Sequence, residues 1–102
     1  MGYCIEMKES KFFVQTQHTG RVLAMTQRQP YDFQLDQDGN ITELEFIGEK
    51  LGDDFKMFQS IAAYVQDGSY IWMIGEDGVQ WRWVFRAGIC KEVKAKVEWP
   101  DE

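Results

Sequence analysis

Gln34–Glu45, QLDQDGNITELE, carries oxygen-bearing side chains at the spacing of a calcium-binding loop. With Gln34 at the first position, Asp36 falls at the third and Asp38 at the fifth. The turn glycine Gly39 is then sixth, Asn40 offers its carbonyl at the seventh, Thr42 stands ninth and Glu45 twelfth. Two features oppose that chemistry. The first ligand position holds a neutral amide where a carboxylate anchors the ion. The flanks also alternate with a period of two, whereas the calcium loop needs a helix on each side. In YDFQL, Tyr31, Phe33 and Leu35 alternate with Asp32 and Gln34; in ITELEF, Thr42, Leu44 and Phe46 alternate with Ile41, Glu43 and Glu45. The pattern predicts a β-hairpin with an acidic wet face, on which Glu45 lies too far from the turn to close a site. No metal is expected there.

Glu43, Glu45, Glu49, Asp53 and Asp54 form the densest acidic region of the chain, which reads as an anchor for a basic partner or as a solvated face. The aromatic residues raise a different question. Tyr70 and Trp72 share one face of a predicted strand whose other face holds Ile71 and Met73, so both faces are apolar. On the next strand Trp81 and Trp83 share a face with Val79 and Phe85, opposite Gln80, Arg82, Val84 and Arg86. Under helices, Trp81 and Trp83 are core. Exposed beside Tyr70, Trp72 and Arg82, they form a binding surface, a dimer interface or the wall of a small pocket. Arg82, Tyr70, Glu76 and Asp77 near the turn at 76–82 would be the polar groups of such a pocket. His18, the only histidine, has no Ser-His-acid or Cys-His arrangement around it and reads as a surface residue. With two cysteines and one histidine a structural zinc site is not expected. The reading assigns no catalytic residue and no cofactor.

The elements that position these residues follow from pattern and punctuation. YCIEM, Tyr3–Met7, is a candidate strand, and KFFVQT, Lys11–Thr16, extends it past a bend or supplies a second one. TGRVLAMTQRQ predicts a short helix stopped by Pro30. After the hairpin, Leu51, Phe55, Phe58, Ala62 and Val65, with Ile61 beside them, mark the principal amphipathic helix, which Asp53 can cap and Gly68 ends. Three strands follow, Ser69–Ile74, Val79–Arg86 and Ile89–Trp99, with Pro100 as the stop and 100–102 as a flexible tail. In the last of these Val93, Ala95, Val97 and Trp99 oppose Glu92, Lys94, Lys96 and Glu98. Asp38-Gly39, Asp67-Gly68 and Asp77-Gly78 punctuate the chain, because Asp bonds to nearby backbone and Gly accepts positive φ.

The expected architecture is a single α+β domain over residues 1–102, of order β-α-β-β-α-β-β-β. It has one antiparallel or mostly antiparallel sheet of five or six strands, with two helices on one face. The first six elements match a ferredoxin-like split β-α-β unit and equally a meander with an inserted helix.

Composition narrows the function classes. Seventeen acidic residues against eleven Lys and Arg give a net charge of −6, which disfavours direct nucleic-acid binding. Aromatic residues make up 15% of the chain, against disorder. No leader pattern or membrane-length apolar run is present, and cysteine usage fits a reducing cytoplasm.

FIGEKLGDD followed by FQSIAAYVQDGSYIWMIGEDGVQWRWVF, within Phe46–Phe85, resembles a small family of bacterial and phage-associated acidic proteins without a defined activity. The resemblance covers under half the chain and implies no catalytic residue. Together these readings lead to a noncatalytic protein-binding or accessory domain, with a protein partner or a second copy of itself as occupant. The alternatives are an acidic inhibitor or immunity-like protein filling a basic groove, and a small-ligand or enzymatic domain with its site near 76–82.

Overall fold

A strand that alternates polar and apolar residues must bury one side, and the computed structural model, which describes residues 3–49 and 52–94, shows how six such strands do so. The elements run β1 (Ile5–Lys11), α1 (Thr16–Met25), β2 (Tyr31–Leu35), β3 (Ile41–Phe46) and α2 (Asp54–Ile61). A 3₁₀ turn (Ala62–Tyr64) then leads to β4 (Tyr70–Gly75), β5 (Gln80–Arg86) and β6 (Ile89–Lys94). The α+β class and the element order agree with expectation.

The single sheet does not. The strands form a four-stranded sheet of order β1-β4-β5-β6 and a separate two-stranded sheet, β2-β3, with all pairings antiparallel. This arrangement is neither a ferredoxin-like unit nor one meander. Val14 joins the parts, because it bridges to Ile41 on the hairpin and to Val65 after α2. The Ser10 hydroxyl of β1 also donates to the Leu44 carbonyl of β3 at 3.0 Å, so the hairpin sits beside the large sheet without becoming its fifth and sixth strands.

Bulges also shift faces that strict alternation had assigned. Leu35 pairs with Ile41 while Gln34 pairs with Glu43, so Thr42 is the extra residue. Ile41 and Leu44 therefore both point inward and are fully buried; Leu35, opposite Ile41 at the last position of β2, is 49% exposed beside the turn. A second bulge between Met7 and Glu9 places Lys8 on the outer side of β1.

The buried side chains form one cluster between the inner face of the large sheet, the hairpin and α2. Ile71 and Met73 supply β4; Trp81, Trp83 and Phe85 supply β5. Phe58 of α2 is the meeting point, with ring centroids 4.9 Å from Trp83, 5.2 Å from Tyr31 and 5.8 Å from Phe85. The helix is shorter than its apolar stripe suggested, since it starts at Asp54 and tightens into the 3₁₀ turn before Val65. Helix α1 starts three residues earlier than expected, packs against α2 and reaches the core through Val22. The expected continuation of β6 to Trp99, the stop at Pro100 and the tail lie outside the described residues.

Cys4 precedes β1 and Cys90 lies on β6, at opposite edges of the sheet. Three strand spacings of about 4.8 Å separate those edges, beyond the reach of a disulfide.

Candidate functional site

The loop that resembles a calcium site is filled by its own hydrogen bonds. One Asp36 carboxylate oxygen accepts from the Asp38 and Asn40 backbone N–H groups, each at 2.9 Å, and the other accepts from Asn40 Nδ2 at 2.9 Å. The Asn40 side chain holds the Asp36 carboxyl below the usual carboxylate range, and the backbone donors add to that. Gly39 turns with φ +87°, and its carbonyl accepts from the Thr19 hydroxyl at 2.6 Å. Asn40 Oδ1 accepts from the Thr16 N–H at 2.7 Å and so caps α1, which has no side-chain cap of its own. The loop is a clamp between hairpin and helix. Among the described residues no group of three or more His, Cys, Asp or Glu could hold a metal ion.

A test follows from the clamp. Asp36→Ala should lower the thermal midpoint, while calcium should leave the midpoint of the unaltered chain unchanged in the same calorimetric scan. The sign of the pH effect is fixed by the lowered folded value. The carboxylate's contribution is present above its unfolded pKa, is lost as pH falls through the folded one, and is missing from the acid limb of the Asp36→Ala profile.

The sequence-derived site residues divide among three places. Of the two readings of Trp81 and Trp83, core or binding surface, the structure takes the core, at 5% and 2% exposure, because β5 turns that parity toward α2. Asp54 is corrected from the acidic surface to the interior: at 1% exposure it accepts from the Tyr31 hydroxyl at 2.5 Å and from the Gly52 N–H at 2.8 Å. Its burial depends on a tyrosine 23 residues away. Glu43, Glu45, Glu49 and Asp53 are exposed. On the hairpin, Glu43 stands opposite Gln34, and Glu45 stands opposite Asp32 as a like-charge pair facing solvent.

Tyr70, Trp72 and Arg82 do come together. They lie on the outer face of the large sheet, the side away from α2, where Trp72 pairs with Arg82 across the strands. The Arg82 guanidinium sits 4.9 Å from the Tyr70 ring and 4.7 Å from the Trp72 ring, and Lys8 Nζ is 5.0 Å from the Trp72 ring. Hydrogen bonds fix the row at both ends. The Tyr70 hydroxyl donates to Glu9 Oε2 at 2.6 Å, and Trp72 Nε1–H donates to Gln80 Oε1 at 2.9 Å. The bond to Glu9 raises the Tyr70 hydroxyl above its ordinary pKa. Beyond the row, Ile89 and Val93 are 53% and 49% exposed on the same face. Lys8, Ile89 and Val93 were missed by sequence reasoning: a bulge sets the first, and the register of β6 against β5 sets the others.

The four polar groups proposed around the 76–82 turn are not brought together. Arg82 and Tyr70 belong to the outer row, whereas Glu76 accepts from the Cys4 backbone N–H at 2.7 Å. Asp77 accepts from the Tyr3 hydroxyl and from the Val79 N–H. A cleft of about 360 Å³ does open beside that turn, lined by Tyr3, Phe55, Asp77, Trp81 and Trp83 among others. The indole N–H groups of Trp81 and Trp83 are buried without a hydrogen-bond partner among the described residues. No described helix is long and apolar enough to cross a membrane.

Comparison with family models, with curated proteins and with solved structures finds no match to this chain.

Proposed function

We propose that this chain is a noncatalytic protein-binding domain, acting in a cytoplasmic setting, whose docking surface is the outer face of the β1-β4-β5-β6 sheet. The observation that carries the reading is the fixed row of Tyr70, Trp72 and Arg82 on that face, continued by exposed Ile89 and Val93. Aromatic rings and arginine at the centre of a patch, with apolar side chains beside them, are the composition of interface hot spots. The row is also pre-organised, so a partner would lose little side-chain entropy in ordering it.

A second reading, the acidic inhibitor, is favoured by the hairpin, whose Asp32 and Glu45 face each other across the strands. One experiment separates the two. Native complexes are isolated with the unaltered chain, with Trp72→Ala/Arg82→Glu and with Glu43→Lys/Glu45→Lys, each checked by circular dichroism for folding. A partner retained by the hairpin variant and lost from the sheet variant is the expected result. The reverse pattern would establish the hairpin as the binding face and overturn the proposal.

A further inference from the structure

Charge on this molecule is sorted by face. Lys8, Lys11, Arg82, Arg86 and Lys91 occupy outward positions of the large sheet, five of the chain's eleven basic residues, against only Glu6 and Glu9 among its seventeen acidic ones. A chain of net charge −6 thus presents one basic surface. Among the described residues none of these five cations forms an ion pair with a carboxylate. Within the same residues Arg82 makes only its two ring contacts and donates no hydrogen bond, so its N–H edges are available to an outside acceptor. Stacked guanidinium groups held in one plane bind carboxylates in a two-pronged geometry that lysine cannot reproduce.

Resting on the reading of this face as a protein-docking surface, we infer that its occupant is an acidic segment of a partner protein, with a carboxylate on Arg82 and others on Lys8 and Lys91. Ile89 and Val93 receive the segment's apolar side chains. Single-stranded nucleic acid carries the same sign of charge, but its binders offer bare aromatic rings for bases to stack on. Here Tyr70 has a cation over its ring and Trp72 has two, so the face presents charge where a nucleic-acid platform presents rings. A second copy's acidic hairpin is the remaining source of carboxylates. Such a contact joins unlike surfaces and propagates without closing on itself unless a ring forms.

Three probes decide among these: a glutamate-rich peptide alternating Glu with Val, the same peptide with Gln for Glu, and oligothymidylate of equal charge. Binding is followed by NMR on the whole chain and on Arg82→Gln, which removes the charge and the two-pronged donor edge, with the fold of the variant checked by its amide spectrum. Sedimentation of the chain alone runs in parallel. The expected result is binding of the Glu peptide only, centred on Tyr70, Trp72 and Arg82. It should weaken about tenfold in Arg82→Gln and about tenfold between about 0.05 M and about 0.5 M salt. Equal binding of the Gln peptide, tighter binding of oligothymidylate, no binding of the Glu peptide, or self-association abolished by Arg82→Gln would each overturn the inference. A native partner lost from Trp72→Ala/Arg82→Glu yet indifferent to salt would leave the docking face standing and remove only its acidic occupant.

Discussion

Phe58→Ala should cost about 3–5 kcal/mol of folding stability, read as a lower denaturant midpoint at unchanged slope. Phe58 is fully buried where α2, the hairpin and the large sheet meet, and its ring contacts Tyr31, Trp83 and Phe85. Truncation leaves a cavity that three separate elements would have to close together, so relaxation is limited and the upper part of the range applies. Ordinary domains hold only about 5–15 kcal/mol in total, which makes this loss a large fraction of the whole. Trp83→Ala should behave alike, since the ring is 2% exposed and packs on Phe58 at 4.9 Å. Trp72→Ala should cost about 1 kcal/mol, because that ring is only partly buried and lies on the outer face. A loss for Trp72→Ala as large as for Trp83→Ala would mean that the two sheet faces have been assigned the wrong way round.

Removing the Tyr31 hydroxyl is the second large effect. Tyr31→Phe takes away a 2.5 Å hydrogen bond to the Asp54 carboxylate and leaves that buried group with the Gly52 N–H as its remaining hydrogen-bond donor among the described residues. Hydrogen bonds to charged groups contribute about 1.5–3 kcal/mol, and a buried acceptor deprived of its donor keeps its desolvation cost, so a loss of about 2–3 kcal/mol is expected. Asp54→Ala should fall in the same range. The double variant should lose less than the sum of the two, since both remove one interaction.

The pH dependence of the same pair has a definite sign. Burial, and then the bond to Asp54, push the Tyr31 hydroxyl far above its ordinary 10.0, so the folded chain keeps a proton that the unfolded chain releases. Its contribution is complete below pH 10, then declines as pH rises toward the folded value. Burial pushes the Cys90 thiol up to about 12 from 9.0, and it adds a decline of the same sign that begins lower. In a Cys90→Ala background, urea titrations above pH 10 should show a midpoint that falls while Tyr31 is present and a flatter profile once Tyr31→Phe is added.

Those two predictions also show what a sequence can and cannot carry. The parity of Trp81, Trp83 and Phe85 against Arg82 is written in the order of residues, and the structure keeps it. The acidic turn was recognisable from Asp38-Gly39 and from the alternation on either side. Which parity faces the helices was not, because that choice is made by α2, a separate element, through Phe58. The hairpin face was misassigned at Ile41 because one extra residue, Thr42, inverts the β3 position between it and the turn, while β2 keeps its alternation. The placing of the hairpin as a separate sheet involves Val14 pairing with Ile41 and Val65, contacts 27 and 51 residues distant that no local pattern specifies. Asp54 looked like surface for the same reason, since its partner lies in another element. Tyr70, Trp72 and Arg82 were named from the sequence as one group, whereas the cation on the far side, Lys8, required a bulge.

The docking face is tested most directly by hydroxyl-radical footprinting of the chain in its native assembly at near-physiological ionic strength, compared with the isolated chain. The account predicts that Tyr70 and Trp72 become several-fold less reactive in the assembly, while Phe33 and Phe46 on the hairpin are unchanged. Unaltered reactivity at Tyr70 and Trp72, with protection falling on the hairpin or on the cleft beside the 76–82 turn, would contradict it.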